Sequence, residues 1–216
     1  MRLLFALVLT ATFGLGAPAL AENALDPAIP ARPGAVALYL QAQRLAALGQ
    51  SAKDPLMVLT AARILHGLRL SDTARLPDPP PANAAALTDL PGPDLLGIAR
   101  RLDAGQNYSD LTDLLAREVP PHPKALRATA STLGPGQSEV WTLPFFGGTY
   151  GELAILGDGK SNLDMVAIGA GDTQICVDNG SADVAFCGFT LVENGMVMVT
   201  VSNTGTAPDS YLLLTE

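Results

Sequence analysis

The chain has 216 residues and carries 21 acidic against 13 basic side chains, which gives a net charge of −8 at pH 7. This balance argues against a nucleic-acid partner, because phosphates are bound through basic contacts. It argues equally against an anionic lipid surface, and it is compatible with cation binding. The length is sufficient for one or two domains with hydrophobic cores of their own.

The first 21 residues have the three parts of a secretory signal peptide. Arg2 provides the basic start, residues 3–15 are almost wholly apolar, and residues 19–21 form an A-x-A cleavage site. The apolar run is shorter than the roughly 20 residues that a membrane span needs. We therefore expect cleavage after Ala21 and a soluble bacterial protein, periplasmic or secreted, without a membrane span.

Residues 22–118 show a helical organisation interrupted by proline. Residues 22–33 contain three prolines and no regular period, which predicts a flexible arm. From Gly34 the apolar spacing predicts two helices in an antiparallel hairpin, the second capped by Asp54 with Pro55 at its first position. Residues 75–93 are predicted to be an exposed proline-rich linker. Residues 93–105 and 109–119 predict two further helices, so residues 34–118 form a small α-helical array.

The C-terminal part has a different period. Residues 119–136 are predicted to be a second linker, since prolines interrupt the chain at 120–123. Between residues 137 and 216, six or seven short apolar runs are separated by Gly, Asp and Asn. This spacing predicts an antiparallel β-sandwich of jelly-roll type. Together with the helical array, it places the protein in the α+β class with two domains.

One run shows the strand alternation clearly. In MVMVTVSN, residues 196–203, three valines occupy one face, and the other face carries Met196, Met198, Thr200 and Ser202. The sequence also has two cysteines that lie close together, Cys176 and Cys187. In an oxidising compartment such a pair predicts a disulfide, here across a hairpin that turns at DNGSAD.

Four stretches follow one another in a characteristic order: GDGKSNLDM, CVDNG followed by FC, VSNTG, and YLLL. In this order, residues 151–215 resemble the bacterial pre-peptidase C-terminal domain. The resemblance implies a β-sandwich of the kind appended to secreted proteases and other exported proteins, used for binding or maturation. It implies no catalytic residues. The peptidase domain that usually accompanies this module has no counterpart in the sequence, and the helical half shows no comparable resemblance.

The stretch GDGKSNLD, residues 157–164, admits two interpretations. As a turn, its glycines supply positive φ, and Asp164 enters a strand beside Val166 and Ile168, held by N–H groups of the loop. As a cation site, it offers Asp158 and Asp164, with Asp178, as ligands for Ca²⁺. An EF-hand is excluded, because Lys160 occupies its third position. We expect mainly a structural turn, without a cofactor unless Ca²⁺ binds.

Catalytic patterns are missing from the sequence. His66 and His122 are the only histidines, and neither belongs to an H-E-x-x-H, G-x-S-x-G or metal-spaced pattern. Four aromatic side chains could stack on sugars or pack in the core, and core packing is expected for Trp141. The other three are Phe145, Phe146 and Tyr150.

Three functional hypotheses follow. The preferred one is an exported, non-catalytic binding or structural protein, whose helical half docks a partner and whose sandwich binds a protein or polysaccharide of the cell envelope. The first alternative is a metal-dependent envelope hydrolase with a site between the two halves. The second is a calcium-binding stability module. The absence of a nucleophile pattern favours the first hypothesis.

Overall fold

The structure is a computed structural model that describes residues 33–78, 94–105, 108–118 and 124–216. The predicted signal peptide lies outside the described residues, and so do the predicted arm up to residue 32, residues 79–93 of the proline-rich linker, and His122. None of the described helices combines the length and apolarity that crossing a membrane requires.

Four α-helices and nine strands make up the described part of the chain. The helices are α1 (Ala35–Ala52), α2 (Pro55–His66), α3 (Leu95–Leu102) and α4 (Ser109–Arg117). The strands are β1 (Leu68–Asp72), β2 (Lys124–Leu133), β3 (Ser138–Phe145), β4 (Tyr150–Gly157), β5 (Leu163–Ile168), β6 (Gln174–Asp178), β7 (Val184–Thr190), β8 (Gly195–Asn203) and β9 (Asp209–Thr215). This confirms the α+β class and the β-sandwich.

The strands form two sheets with jelly-roll connectivity. One sheet has the order β1-β2-β9-β4-β7, and the other has the order β3-β8-β5-β6. From β2 to β9 the chain changes sheet at every connection except that between β5 and β6, which is the order that two Greek keys produce. β1 is an addition, because it pairs in parallel with β2 at the edge of the first sheet.

Two apolar layers hold the sandwich. The first lies between the sheets and includes Trp141, Ile155, Met165, Val199 and Leu213, all at most 1% exposed. The second lies on the outer face of the five-stranded sheet, where α1 covers it. We therefore call this sheet the helix-covered sheet, and the four-stranded one the open sheet. The residues of the second layer include Val36 and Leu40 of α1 with Leu126, Ala154, Phe186 and Leu214.

The helices also pack on one another. Asp54 caps α2 as predicted, because one of its carboxylate oxygens accepts hydrogen bonds from the N–H groups of Leu56, at 2.9 Å, and Met57, at 3.2 Å. α1 and α2 share a core cluster with α3 and α4, to which each contributes apolar residues; its buried members are Ala42, Ala46, Val58, Leu59, Ala61, Leu95, Ala99 and Leu115. The predicted helical array is confirmed.

The sandwich begins earlier in the chain than predicted. Residues 124–133, expected within a linker, form β2, which pairs with β9 from Arg127 to Leu133. Residues 68–72, expected within the helical array, form β1. The linker prediction is therefore wrong over β2. The physical reason is that β2 pairs with a strand at the other end of the chain. The prolines just before β2 carry no information about such a distant pairing.

The predicted disulfide between Cys176 and Cys187 is present, but its position differs from the prediction. Cys176 lies in β6 of the open sheet, and Cys187 lies in β7 of the helix-covered sheet. The bridge thus joins edge strands of two sheets, and the strands on either side of DNGSAD are not a hairpin. Local sequence predicts a turn there, but the jelly-roll connectivity places its two arms in different sheets.

Candidate binding face

The stretch at residues 157–164 connects β4 to β5 and is the turn that the sequence predicts. Gly159 has φ of +84°, a conformation that favours glycine. Gly157 lacks a positive φ and instead ends β4 so near Asp183 that a Cβ would lie 2.8 Å from the Asp183 Cβ. The two glycines are therefore required for different reasons, one for backbone conformation and the other for close packing.

Asp209 is the carboxylate that holds this turn. Its Oδ1 accepts from the Asp158 N–H at 3.1 Å, and its Oδ2 accepts from the Ser161 N–H at 3.0 Å. The side chain is fully buried. Burial raises the pKa of Asp209, while the two N–H donors act in the opposite direction. Sequence reasoning gave this role to Asp164 and missed Asp209, because the link spans 48 residues.

Asp164 points away from the core, contrary to the prediction. Leu163, Met165 and Ala167 face the interior and are at most 1% exposed, whereas Asp164 is half-buried on the outer face of the open sheet. Its Oδ1 accepts from the Asn162 side-chain amide at 3.1 Å. Apolar residues occupy both faces of β5, so the alternation alone did not decide which face the core takes.

The three aspartates proposed as calcium ligands have separate surroundings. The Lys160 ammonium lies 2.6 Å from Asp158 and lowers the pKa of that carboxyl. Asp178 accepts from the Gly180 N–H at 3.2 Å. In the part of the chain that the structure describes, no three His, Cys, Asp or Glu side chains are grouped so that they could hold a metal. Calcium binding at Asp158, Asp164 and Asp178 stays a prediction.

The aromatic and histidine candidates divide between core and surface. Trp141 is 1% exposed, and its Nε1–H donates to the Tyr211 hydroxyl at 2.8 Å, which confirms core packing. Phe145 also belongs to the core, but Phe146 is exposed. The Nε2 of His66, in the last turn of α2, hydrogen bonds to the Glu118 carbonyl oxygen, so this residue joins two helical segments.

The outer face of the open sheet, which we call the open face, presents apolar side chains to solvent. Two adjacent cross-strand rows are formed by Thr142, Met198 and Ile168, and by Val140, Thr200, Val166 and Val177. Met196 is 52% exposed, and Met198 and Val177 are each 43% exposed. The predicted faces of MVMVTVSN are confirmed, since the three valines are fully buried.

The outer face of the helix-covered sheet, by contrast, is shielded from solvent. There α1 packs over the outward side chains of Ala154 and Leu214, both fully buried. The two outer faces of one sandwich thus differ: one is closed by a helix of the same chain, and on the other no described helix forms such a layer. Exposed apolar surface of this kind is typical of interaction sites.

Two glutamates that the sequence analysis missed fix α1 to the sandwich. Glu152 of β4 accepts from the N–H groups of Gly34 and Ala37 at 2.7 and 2.9 Å, and Glu216 accepts from the N–H of Ala35. These carboxylates satisfy donors that the first turn of a helix leaves unpaired, and they complement its dipole. Burial raises the pKa of Glu152, and neighbouring Glu216 raises it further, against the effect of the helix N–H donors.

No family model matches the chain, and no curated protein matches it. Among solved structures, it is similar to the pre-peptidase C-terminal domain of collagenase from Bacillus anthracis, at 15% identity and a TM-score of 0.34, over 41% of this chain and 87% of that one. This match agrees with the resemblance that the sequence predicted.

Two further similarities also concern β-sandwich folds. Aeromonas hydrophila PliG, a periplasmic lysozyme inhibitor of g-type lysozyme, matches at 14% identity and a TM-score of 0.32, over 42% of this chain and 86% of that one. Carbohydrate-binding module CBM36, in complex with calcium and xylotriose, matches at 8% identity and a TM-score of 0.25, over 39% and 76%. At these scores the matches concern the fold alone.

Proposed function

We propose that the protein is an exported, non-catalytic binding protein that holds a basic protein of the cell envelope against its open face. The observation that carries this proposal is the difference between the two sheets. α1 buries the outer face of the helix-covered sheet, whereas Met196, Met198 and Val177 remain exposed on the open sheet. Burying such side chains contributes about 25 cal/mol for each Å² of apolar surface.

The charge of the sandwich supports a basic partner. Residues 128–216 contain ten acidic side chains and a single basic one, Lys160, which is paired with Asp158. Asp164 lies on the open face itself, and Asp178 ends the neighbouring strand β6. A partner with basic residues around an apolar centre would meet complementary charge, which favours encounter and specificity.

Export is supported by two features of the chain. Residues 1–21 have the pattern of a signal peptide, and the Cys176–Cys187 bridge is typical of an oxidising compartment. The non-catalytic part rests on the sequence, which has none of the nucleophile or metal-site patterns of hydrolases. The helical half has a supporting role here, because its first helix covers the other sheet.

Site-specific photo-crosslinking tests the proposal. A benzophenone amino acid placed at position 198 should form an adduct with an envelope protein, whereas the same group at Leu48, exposed on α1, should not. The adducted protein should be basic, and added salt should reduce its yield, because surface charges are screened.

A second arm uses substitutions that keep the strand. The double variant Met196→Thr and Met198→Thr retains residues suited to a β-strand and should lose the adduct from a probe placed at the neighbouring Thr142. Leu48→Gln is the matched control and should leave the yield unchanged. The proposal is overturned by equal adducts at positions 198 and 48, by an acidic captured protein, or by capture of polysaccharide alone.

A further inference from the structure

A short segment links the two sheets of the sandwich through backbone hydrogen bonds. Residues 73–78 follow β1 and run from one sheet to the other. At one end, the Thr73 N–H donates to the Ala128 carbonyl of β2 at 2.9 Å. At the other, Asp78 and Val140 of β3 exchange backbone hydrogen bonds of 2.8 and 3.1 Å. Arg75 lies in the middle of this segment, so its backbone is held from both directions.

The Arg75 guanidinium is only partly satisfied. Its Nη2 donates to the Thr215 hydroxyl at 2.8 Å, whereas its Nη1 is buried and has no hydrogen-bond partner. Thr215 itself is 5% exposed and ends β9. A buried donor without a partner is costly, and more so when it carries charge.

A second arginine stands beside the first. Strand register places Arg127 of β2 directly opposite Thr215, the residue that Arg75 contacts, and the Arg127 side chain is exposed. Burial lowers the pKa of Arg75, and the charge of Arg127 lowers it further. Among the described residues, no carboxylate forms an ion pair with either arginine. The chain as a whole is acidic, with a net charge of −8, yet these two guanidinium groups repel each other without a carboxylate between them. A bound anion would neutralise this local positive charge.

We propose that Arg75 and Arg127 form a binding site for an oxyanion, the chemistry shared by carboxylate and phosphate groups, at the end of β9. The guanidinium fork presents parallel N–H donors whose spacing matches two oxygens of one such group. The Thr215 hydroxyl would orient the Arg75 fork. The bound anion would remove the repulsion between the two cations and supply an acceptor for the Arg75 Nη1. This site is separate from the open face and does not depend on the function proposed for it.

Titration of the full chain with defined anions tests this site. Sodium phosphate and sodium acetate are added in separate arms, with sodium chloride at matched ionic strength as the reference, and the arginine side-chain N–H signals are followed by NMR. We expect saturable shifts of the Arg75 and Arg127 signals in at least one arm and none with chloride. The arm that binds more tightly identifies the source of the oxyanion.

Two variants make the test specific. Arg127→Gln changes an exposed side chain and should weaken anion binding at least tenfold, whereas Arg63→Gln, on the exposed surface of α2, should leave it unchanged. Arg127→Lys keeps the charge without the fork and should fall between the two. The proposal is overturned if neither anion shifts the signals beyond chloride, or if Arg127→Gln binds as tightly as the unchanged chain.

Discussion

Asp209 is the residue whose loss should damage the β4–β5 turn most. It is fully buried and accepts hydrogen bonds from the Asp158 and Ser161 N–H groups. Asp209→Ala would leave both donors without a partner, so we expect a loss of ~1–3 kcal/mol in the free energy of unfolding, measured by urea denaturation. Asp158→Ala serves as the control and should cost less, because Asp158 is an exposed residue and its carboxylate contacts the exposed Lys160. Equal losses in both variants would contradict the role given to Asp209.

Removal of calcium should leave the melting temperature unchanged. The turn at residues 157–164 is held by Asp209 and by a 2.5 Å hydrogen bond from the Gly159 N–H to Asp183, which are contacts within the protein. A ligand at a hundred times its Kd would add ~2.7 kcal/mol, which EDTA would remove. A melting temperature that falls with EDTA and recovers with Ca²⁺, but not in Asp164→Ala, would establish the calcium site instead.

Mild acid should stabilise the protein through Glu152. Its pKa is raised above 4.5, chiefly by burial. The native state then keeps the proton at a pH where the unfolded chain has lost it, so this group's contribution is complete below pH 4.5 and declines as pH rises through the folded pKa. The pKa of Asp209 is raised for the same main reason and acts with the same sign.

Urea denaturation across pH 4.5–7 measures this dependence. The free energy of unfolding should rise as pH falls through the window, and Glu152→Gln should flatten the slope, because the amide does not titrate. The pKa of Asp158 is lowered, so this group changes the free energy of unfolding only at pH values below its ordinary pKa, which lie outside this window. A slope of the same size in Glu152→Gln would show that other groups cause the pH dependence.

At the residue scale, the sequence indicated the turn but not what holds it. Glycines and polar residues at 157–164 are a local signal, whereas Asp209 is distant in the chain and resembles any other turn aspartate. The role of Glu152 was missed for the same reason, since its hydrogen bond to Gly34 spans 118 residues. The one local indication was that Gly34, at the N-cap of α1, has no side chain that could cap the helix. The N–H groups of the first turn therefore need acceptors from another part of the chain.

At the scale of elements, the Cys176–Cys187 bridge restrains the edges of both sheets. It joins β6 to β7 across a sequence separation of 11 residues, so the chain-entropy model predicts a contribution of roughly 3 kcal/mol. The double variant Cys176→Ala and Cys187→Ala should lose about this amount in the free energy of unfolding. Reduction of the unchanged protein should have a similar effect. If alkylation of the unreduced, unfolded protein labels two thiols, the bridge is absent in solution.

Prediction of elements succeeded where the signal was local. The alternation in MVMVTVSN fixed both faces of β8, and Asp54-Pro55 marked the start of α2. β1 and β2 were missed because their pairing is not local: Leu68 to Asp72 pair in parallel with Lys124 to Ala128, more than fifty residues away. A strand of five residues directly after a helix has no period of its own long enough to be recognised.

At the scale of the whole molecule, α1 makes the sandwich dependent on the helical half. Without it, the outer face of the helix-covered sheet would expose Leu126, Phe186 and Leu214, each worth roughly 1.5–3 kcal/mol when fully buried. A chain of residues 124–216 would also lack β1, the edge partner of β2. Since domains have a net stability of about 5–15 kcal/mol, these losses are a large fraction of the total.

We therefore expect residues 124–216 alone to unfold at lower urea than residues 33–216, and to bind the dye ANS through the uncovered face. The variant Leu214→Thr in residues 124–216 should reduce the dye signal, because that side chain faces α1 in the complete fold. The same substitution in residues 33–216 should instead destabilise the protein, since it removes a buried contact with α1. Equal urea midpoints for the two fragments would show that the sandwich is stable without its helix.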